Sequence, residues 1–347
     1  MSKTLTRSTY WGARTLLTWL IALIAYVACA VAVPGFSSAG NLYALMQVFA
    51  TLALVSAGLA VVMITGEFDL SIAATFPLAG LITVQYADEL GLALSVAVGV
   101  GSALLIGLVN GLATGAVRIA SLAVTVATMM LGIGLGYLVT GNNVVTMADY
   151  QPGLELTEPL LGVLSRQSVL QLALVALLIV VVKRAWWGRF LYAIGSDGIR
   201  ARSTGLPVTS SVVAALVLCA GCAGIGGALE GVALATGQPG PNNAYLLQAA
   251  TAVLIGGIAL TGGRGSLVGA VGGALLLAIL NNGLSLGGVA SATIQLVNGV
   301  VLVVVVICDR PLRRLVQRGS QRLVIAEGQT ASAATAAEST TLDEGSR

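Results

Sequence analysis

Long apolar runs separated by short polar breaks occupy the chain from about residue 15 to residue 308. Ten such runs stand at about 15–33, 43–65, 70–87, 91–117, 119–140, 168–183, 209–236, 246–262, 265–286 and 288–308. At 1.5 Å of rise per residue each reads as an α-helix spanning a hydrocarbon layer. The pattern predicts an all-α, polytopic membrane protein. Residues 1–14 precede the first run, 15–308 form the transmembrane part, and 309–347 follow it as a basic segment and a tail. The tail is rich in Ala, Ser, Thr and Glu, has too little apolar content to pack, and is expected to be disordered. The first run, behind Lys3, Arg7 and Arg14 and ending at Pro34-Gly35, also has the shape of a signal peptide; in a chain with many spans it is expected to stay as the first anchor.

Composition agrees with the periodicity. Of 347 residues, 57% are hydrophobic and only 9% are charged, far below the ~25% charged residues of a soluble domain. The 44 glycines sit inside apolar runs, where small residues let helices approach closely. With no histidine in the chain, the commonest general base and metal ligand is missing. Of four cysteines, Cys219 and Cys222 form a C-x-x-C inside a continuous apolar run, which reads as small buried side chains on one helix face. No metal site is expected.

Charge sets the orientation. With the N-terminus inside, ten spans place every one of the 17 basic residues except Arg166 on the cytoplasmic side, as the positive-inside rule requires. Both termini are then cytoplasmic. The external breaks are short except for about 141–167, which is polar and holds Asp149, Glu155 and Glu158.

Polar residues inside the membrane are costly and therefore informative. Ile64-Thr65-Gly66-Glu67-Phe68-Asp69-Leu70-Ser71 puts two carboxylates between the second and third spans. Gly66 is placed to end one helix and Asp69 to cap the next; a direct role for Asp69 in transport is the other reading. In the fourth span Gly107, Gly111 and Gly115 make a small-residue face, with Asn110 beside it. Asn110, Asn281, Asn282, Gln295 and Asn298 are candidates for interhelical hydrogen bonds or for lining a solute pathway.

The longest cytoplasmic break, about 184–208, reads W-W-G-R-F-L-Y-A-I-G-S-D-G-I-R-A-R-S-T-G-L-P-V from Trp186. It is cationic and predicts a helical turn from Ile199 to Thr204 between Gly198 and Gly205. A second informative stretch runs from Leu254 to Asn282. It is two apolar segments around a hairpin, Thr261-Gly262-Gly263-Arg264-Gly265-Ser266, in which Arg264 is the only charge.

These motifs together resemble the permease subunits of ribose-, xylose- and arabinose-type sugar ABC importers, within the branched-chain amino acid and ribose permease superfamily. The matching residues are Gly256, Gly257, Gly262, Gly263 and Gly265 in G-G-x-x-L-x-G-G-R-G-S, followed by Asn281 and Asn282. Gly66, Asp69 and Ser71 match G-G-I-D-L-S, with Glu67 in place of its second glycine. In the 184–208 loop Gly188, Arg189, Ala193, Ile194, Gly195, Ala201, Arg202 and Gly205 match, while Asp197 and Arg200 depart from the pattern. Gln238-Pro239 to Ala249 resembles Q-P-x-x-G-x-G-Y-E-L-D-A but carries Leu246 and Gln248 where the pattern is acidic. The likeness covers about residues 40–320.

The resemblance implies a multi-pass subunit of a bacterial inner membrane. A second permease copy or a related permease would complete its pathway. ABC ATPase subunits would dock on a short coupling helix in the 184–208 loop, and a soluble binding protein would deliver a pentose- or hexose-like sugar from outside. The chain has no G-x-x-x-x-G-K-[ST], so ATP would act through the partner ATPase. No cofactor bound by this chain, no enzymatic activity of its own and no nucleic-acid partner are expected. An ion- or proton-coupled secondary transporter or a channel for a small polar solute is the competing class; Glu67, Asp69 and Glu230 are its best support.

Overall fold

The computed structural model describes residues 2–307. Each of the ten apolar runs contains a helix: α1 (Ser2–Ala32), α2 (Ala39–Thr65), α3 (Ile72–Leu90), α4 (Leu92–Gly115), α5 (Ser121–Thr140), α7 (Arg166–Arg184), α10 (Val208–Leu234), α11 (Asn243–Ile255), α12 (Leu267–Leu286) and α13 (Ser291–Ile307). Among the described residues seven of these helices are long and apolar enough to cross a membrane. The others fall short for visible reasons. α3 ends in the polar run Gln85, Asp88 and Glu89, α11 has 13 residues, and α13 is a shorter apolar helix. The basic segment and tail after 308, with Cys308, lie outside the described residues.

Two boundaries differ from the sequence pattern. α1 begins at Ser2, so the polar N-terminal residues are helical and only Arg14–Ala32 is the apolar part. The run at about 246–262 does not make one helix: α11 stops at Ile255, because Gly257 takes a left-handed backbone (φ 91°) and the chain then folds as a loop to Ser266. Hydropathy sees only apolar residues there and cannot register the break.

α2 is the central helix. Its sequence is apolar on every side, as a helix surrounded by protein requires, and 94% of its apolar window is buried, against 11% for α1 and 22% for α4. α10, α12, α7 and α11 pack around it, and α3 and α4 pack on the far side of α10. The outer faces of α1, α4 and α5, with Leu23, Leu105 and Leu131 among many exposed apolar side chains, form the belt that meets lipid. Glycine sets the closest crossings. A Cβ on Gly227 of α10 would stand 1.9 Å from the Phe76 carbonyl oxygen of α3. The Gly107–Gly111–Gly115 face of α4 is filled by Ala220, Leu216 and Val213 of α10, so it is an intrachain contact. Cys219 and Cys222 are free thiols packed against Gly58 of α2, in keeping with a packing role.

The two ends of the bundle are built differently. At one end lie α8 (Trp186–Ser196), α9 (Gly198–Ser203) and the 256–266 loop. At the other, β1 (Val145–Thr146) pairs antiparallel with β4 (Thr236–Gly237), Val145 opposite Gly237. Beside them are α6 (Gln151–Thr157) and the short β2 (Pro159–Leu161) and β3 (Leu164–Ser165) pair.

Candidate functional site

The first candidate region is the end that carries α8 and α9. Gly66 ends α2 in the left-handed conformation (φ 89°), as its sequence position predicts. Three segments far apart in sequence then meet backbone to backbone. The Gly263 N–H donates to the Ile64 carbonyl at 2.8 Å. A Cβ on Gly195 would fall 1.9 Å from that same carbonyl oxygen, and one on Gly262 2.6 Å from the Gly66 backbone. Gly263, at φ 68°, would place a Cβ 2.5 Å from the Ser196 nitrogen. The Tyr192 hydroxyl donates to the Gly265 carbonyl at 3.1 Å. Burial pushes this phenol up to about 12, so it keeps its proton and remains a donor at any physiological pH. Gly256, another glycine of the Leu254–Asn282 stretch, lies directly against Gly269 and Ala270 of α12, and Gly257 against Arg14. Gly66, Gly195, Gly262 and Gly263, drawn from three separate sequence motifs, therefore belong to one junction.

α9 projects from that junction. Asp197 is its N-cap, its carboxylate accepting the Arg200 N–H at 2.9 Å. Asparagine would serve equally well there, which gives the departure from the family pattern a physical basis. α9 starts one residue before the expected turn, at Gly198, and Gly205 follows it at φ 78°. Only Ala201 of α9 is buried, while Ile199 is 85% exposed. Arg200 pairs with Asp197 at 3.5 Å on the surface. Arg202 faces a cavity of about 800 Å³ shared with Glu67, Arg118 and Asp197. The sequence reading missed α8 altogether. Its signal was present: Gly188, Leu191 and Ile194 are its buried residues, spaced three apart as one helix face requires. Trp186 remains 72% exposed, with the Arg189 guanidinium 5.7 Å from its ring centre.

The second region is a chain of buried polar groups between α3, α4 and α5. Asp69 is fully buried. It is not the N-cap of α3; Ser71 holds that position. Asp69 acts two residues earlier, its Oδ1 accepting from the Ser71 N–H at 2.9 Å and from the Ser71 hydroxyl at 2.5 Å. Asn110 Nδ2 donates to Ser71 Oγ at 2.9 Å, and Thr128 Oγ1 donates to Asn110 Oδ1 at 2.7 Å. Ser121 Oγ accepts the Phe68 N–H at 3.2 Å. Asn110 is thus an interhelical bridge rather than a residue open to a pathway. Asn282 also bridges two helices, exchanging two amide hydrogen bonds with Asn41 at 2.9 and 3.0 Å, and stays half-buried. The Oδ1 of Asn281 is buried with no partner among the described residues. Thr128, Ser121 and Asn41 had no motif to mark them in the sequence.

At the opposite end a cavity of about 480 Å³ opens between α3, α5, α10 and the 236–242 segment. Pro77 explains how that segment is held. Proline has no N–H to give the carbonyl four residues earlier, and the free Ala73 carbonyl accepts the Asn242 N–H at 2.8 Å.

The profile for the branched-chain amino acid transport system / permease component matches residues 41–306. A probable ABC transporter permease protein of Sinorhizobium fredii is 32% identical, over 80% of this chain and 84% of its own length. The ribose import permease of Escherichia coli K12 is 30% identical over 84% and 92%. The fructose import permease of Rhizobium meliloti is 29% identical over 85% of each chain. No solved structure matches.

Proposed function

The chain belongs to the branched-chain amino acid transport system / permease component family, and from that premise we propose that it is the membrane-spanning permease subunit of an ATP-driven importer for a pentose- or hexose-like sugar. It is a multi-pass protein of the bacterial inner membrane and a transporter subunit rather than an enzyme. All ten helices cross, with both termini cytoplasmic. The gathering of Arg14, Arg118, Arg202 and Arg264 at the α8–α9 end favours that side as the inside. The sugar assignment follows the ribose, fructose and arabinose import permeases among its relatives.

One observation carries the mechanism. α9 presents an exposed Ile199 and a cavity-facing Arg202 from a base locked by backbone contact to the end of α2. An apolar tip ringed by charge suits a protein partner. ABC ATPase subunits seat on α8 and α9 and supply ATP hydrolysis, so this chain binds no cofactor. A soluble binding protein hands the sugar to the opposite end, and a second permease, identical or related, completes the pathway.

Reconstitution tests this reading. The purified chain in liposomes, given ATP and ribose, arabinose or fructose, stays silent. Added ATPase and binding protein start an uptake that survives a protonophore. Flux from the chain alone, or uptake that collapses with the proton gradient, overturns the proposal.

A further inference from the structure

The cavity at the end opposite α9 contains an acid that nothing in the fold employs. Glu230 lies on α10, a membrane-spanning helix, and faces the cavity together with Gln238, Asn242 and Tyr137. Among the described residues no ion pair or hydrogen bond engages its carboxylate. A carboxylate inside a membrane helix is costly and calls for a partner. An aromatic group stands beside it. Tyr245 lies within electrostatic reach of Glu230, its phenol beside the Thr51 hydroxyl, and its ring stacks on Phe76 of the cavity wall at 4.6 Å.

From this arrangement we infer that the cavity is a binding site for a neutral, polyhydroxylated solute, with Glu230 as its specificity-determining acceptor. Several features select that chemistry. No basic residue lines the cavity, so it has nothing to hold a phosphate or a carboxylate. Its polar groups are an acid, two amides, one phenol and a threonine hydroxyl, which match the paired donor and acceptor character of sugar hydroxyls. The wall formed by Phe76, Pro77 and Leu81 is apolar, suiting the C–H face of a sugar ring. A volume of about 480 Å³ falls within the ~300–1,000 Å³ of small-molecule sites.

The floor is also pre-formed. The Asn242 N–H is fixed to the Ala73 carbonyl that Pro77 leaves free, and the Asn242 side-chain oxygen caps α11 by accepting the Tyr245 N–H at 3.1 Å. That leaves the Asn242 amide nitrogen as a donor beside the acid. The inference deepens the importer reading by assigning it a solute site in the permease, yet solute binding can be measured with no partner subunit present.

The test is thermal shift of the purified full chain in detergent, with ribose, arabinose, fructose and mannitol as neutral probes and choline as a cationic one. At least one neutral polyol raises the melting temperature of the wild type. Glu230→Gln weakens that polyol about tenfold, as expected for exchanging a charge-assisted hydrogen bond for a neutral one. Glu230→Asp recovers part of the loss. Both variants must elute as monodisperse protein, and Gln238→Ala gives a second, independent loss of affinity. No shift with any polyol, equal shifts in wild type and Glu230→Gln, or a shift with choline alone overturns the inference. Failure of ATP-driven uptake in the reconstituted system overturns the importer reading and leaves these binding results standing.

Discussion

Replacing Asp69 separates a structural carboxylate from a functional charge. Its Oδ1 accepts two hydrogen bonds from Ser71, one from the backbone N–H and one from the hydroxyl, in a site with no exposure to solvent. Asp69→Asn keeps an oxygen in that position. Both bonds survive as neutral ones, and the cost is below about 1 kcal/mol. Asp69→Leu removes the acceptor and strands two donors. Each buried unpaired donor costs about 1–3 kcal/mol, and the hydroxyl can rotate to recover part of its share, so the loss is about 2–4 kcal/mol. That lowers the apparent melting temperature by on the order of 5–10 °C. The assay is the temperature at which detergent-purified protein ceases to elute as a monodisperse peak, measured beside reconstituted uptake. Equal melting temperatures for the Asn and Leu variants would refute the hydrogen-bond reasoning. A stable Asn variant with no uptake would show instead that the charge itself serves transport.

Two further outcomes follow from the α8–α9 end. Gly263→Val meets the Ser196 backbone at a left-handed position and should free α8, seen as new protease cleavage within 184–208, whereas Gly198→Ala, with nothing within 4 Å of its Cβ, should behave as wild type. Arg202→Glu and Gly205→Val should insert normally yet lose most ATPase capture in a pull-down, because one inverts a contact charge and the other places a β-branched residue at φ 78°; retained capture in both would reduce α9 to a connector.

The helical class and the position of every long helix could be read from hydropathy, because in lipid the apolar run and the helix are nearly the same object. Glycine positions marked the α8–α9 end for a related reason: a left-handed residue such as Gly66 or Gly205 leaves a trace in the sequence. What stayed hidden was pairing. Asn110 reads as a lone amide in an apolar run; its partners, Ser71 and Thr128, are on other helices, and nothing local distinguishes a bridged amide from one facing a pathway. The 256–266 loop failed differently. Its hairpin from Thr261 to Ser266 was marked, but Gly256 to Leu260 are as apolar as a helix, and the early break depends on backbone conformation rather than polarity. The cavity around Glu230 needed tertiary information throughout, since Pro77 acts by freeing a carbonyl for a segment about 165 residues away.

The contact joining Gly66, Gly195 and Gly263 is made almost wholly of main chain. Side-chain contacts can be softened one methyl at a time; this one has no methyl to give. The end of α2, the last turn of α8 and the loop before α12 are therefore mounted on a common plate, with no compliant layer between them. A load applied to α9 enters the most enclosed helix of the bundle without first being absorbed by rotamer changes. Adjustment of the transporter is left to the arms on either side of the plate, in the exposed tip of α9 and in the helix crossings beyond, where side chains are free to differ.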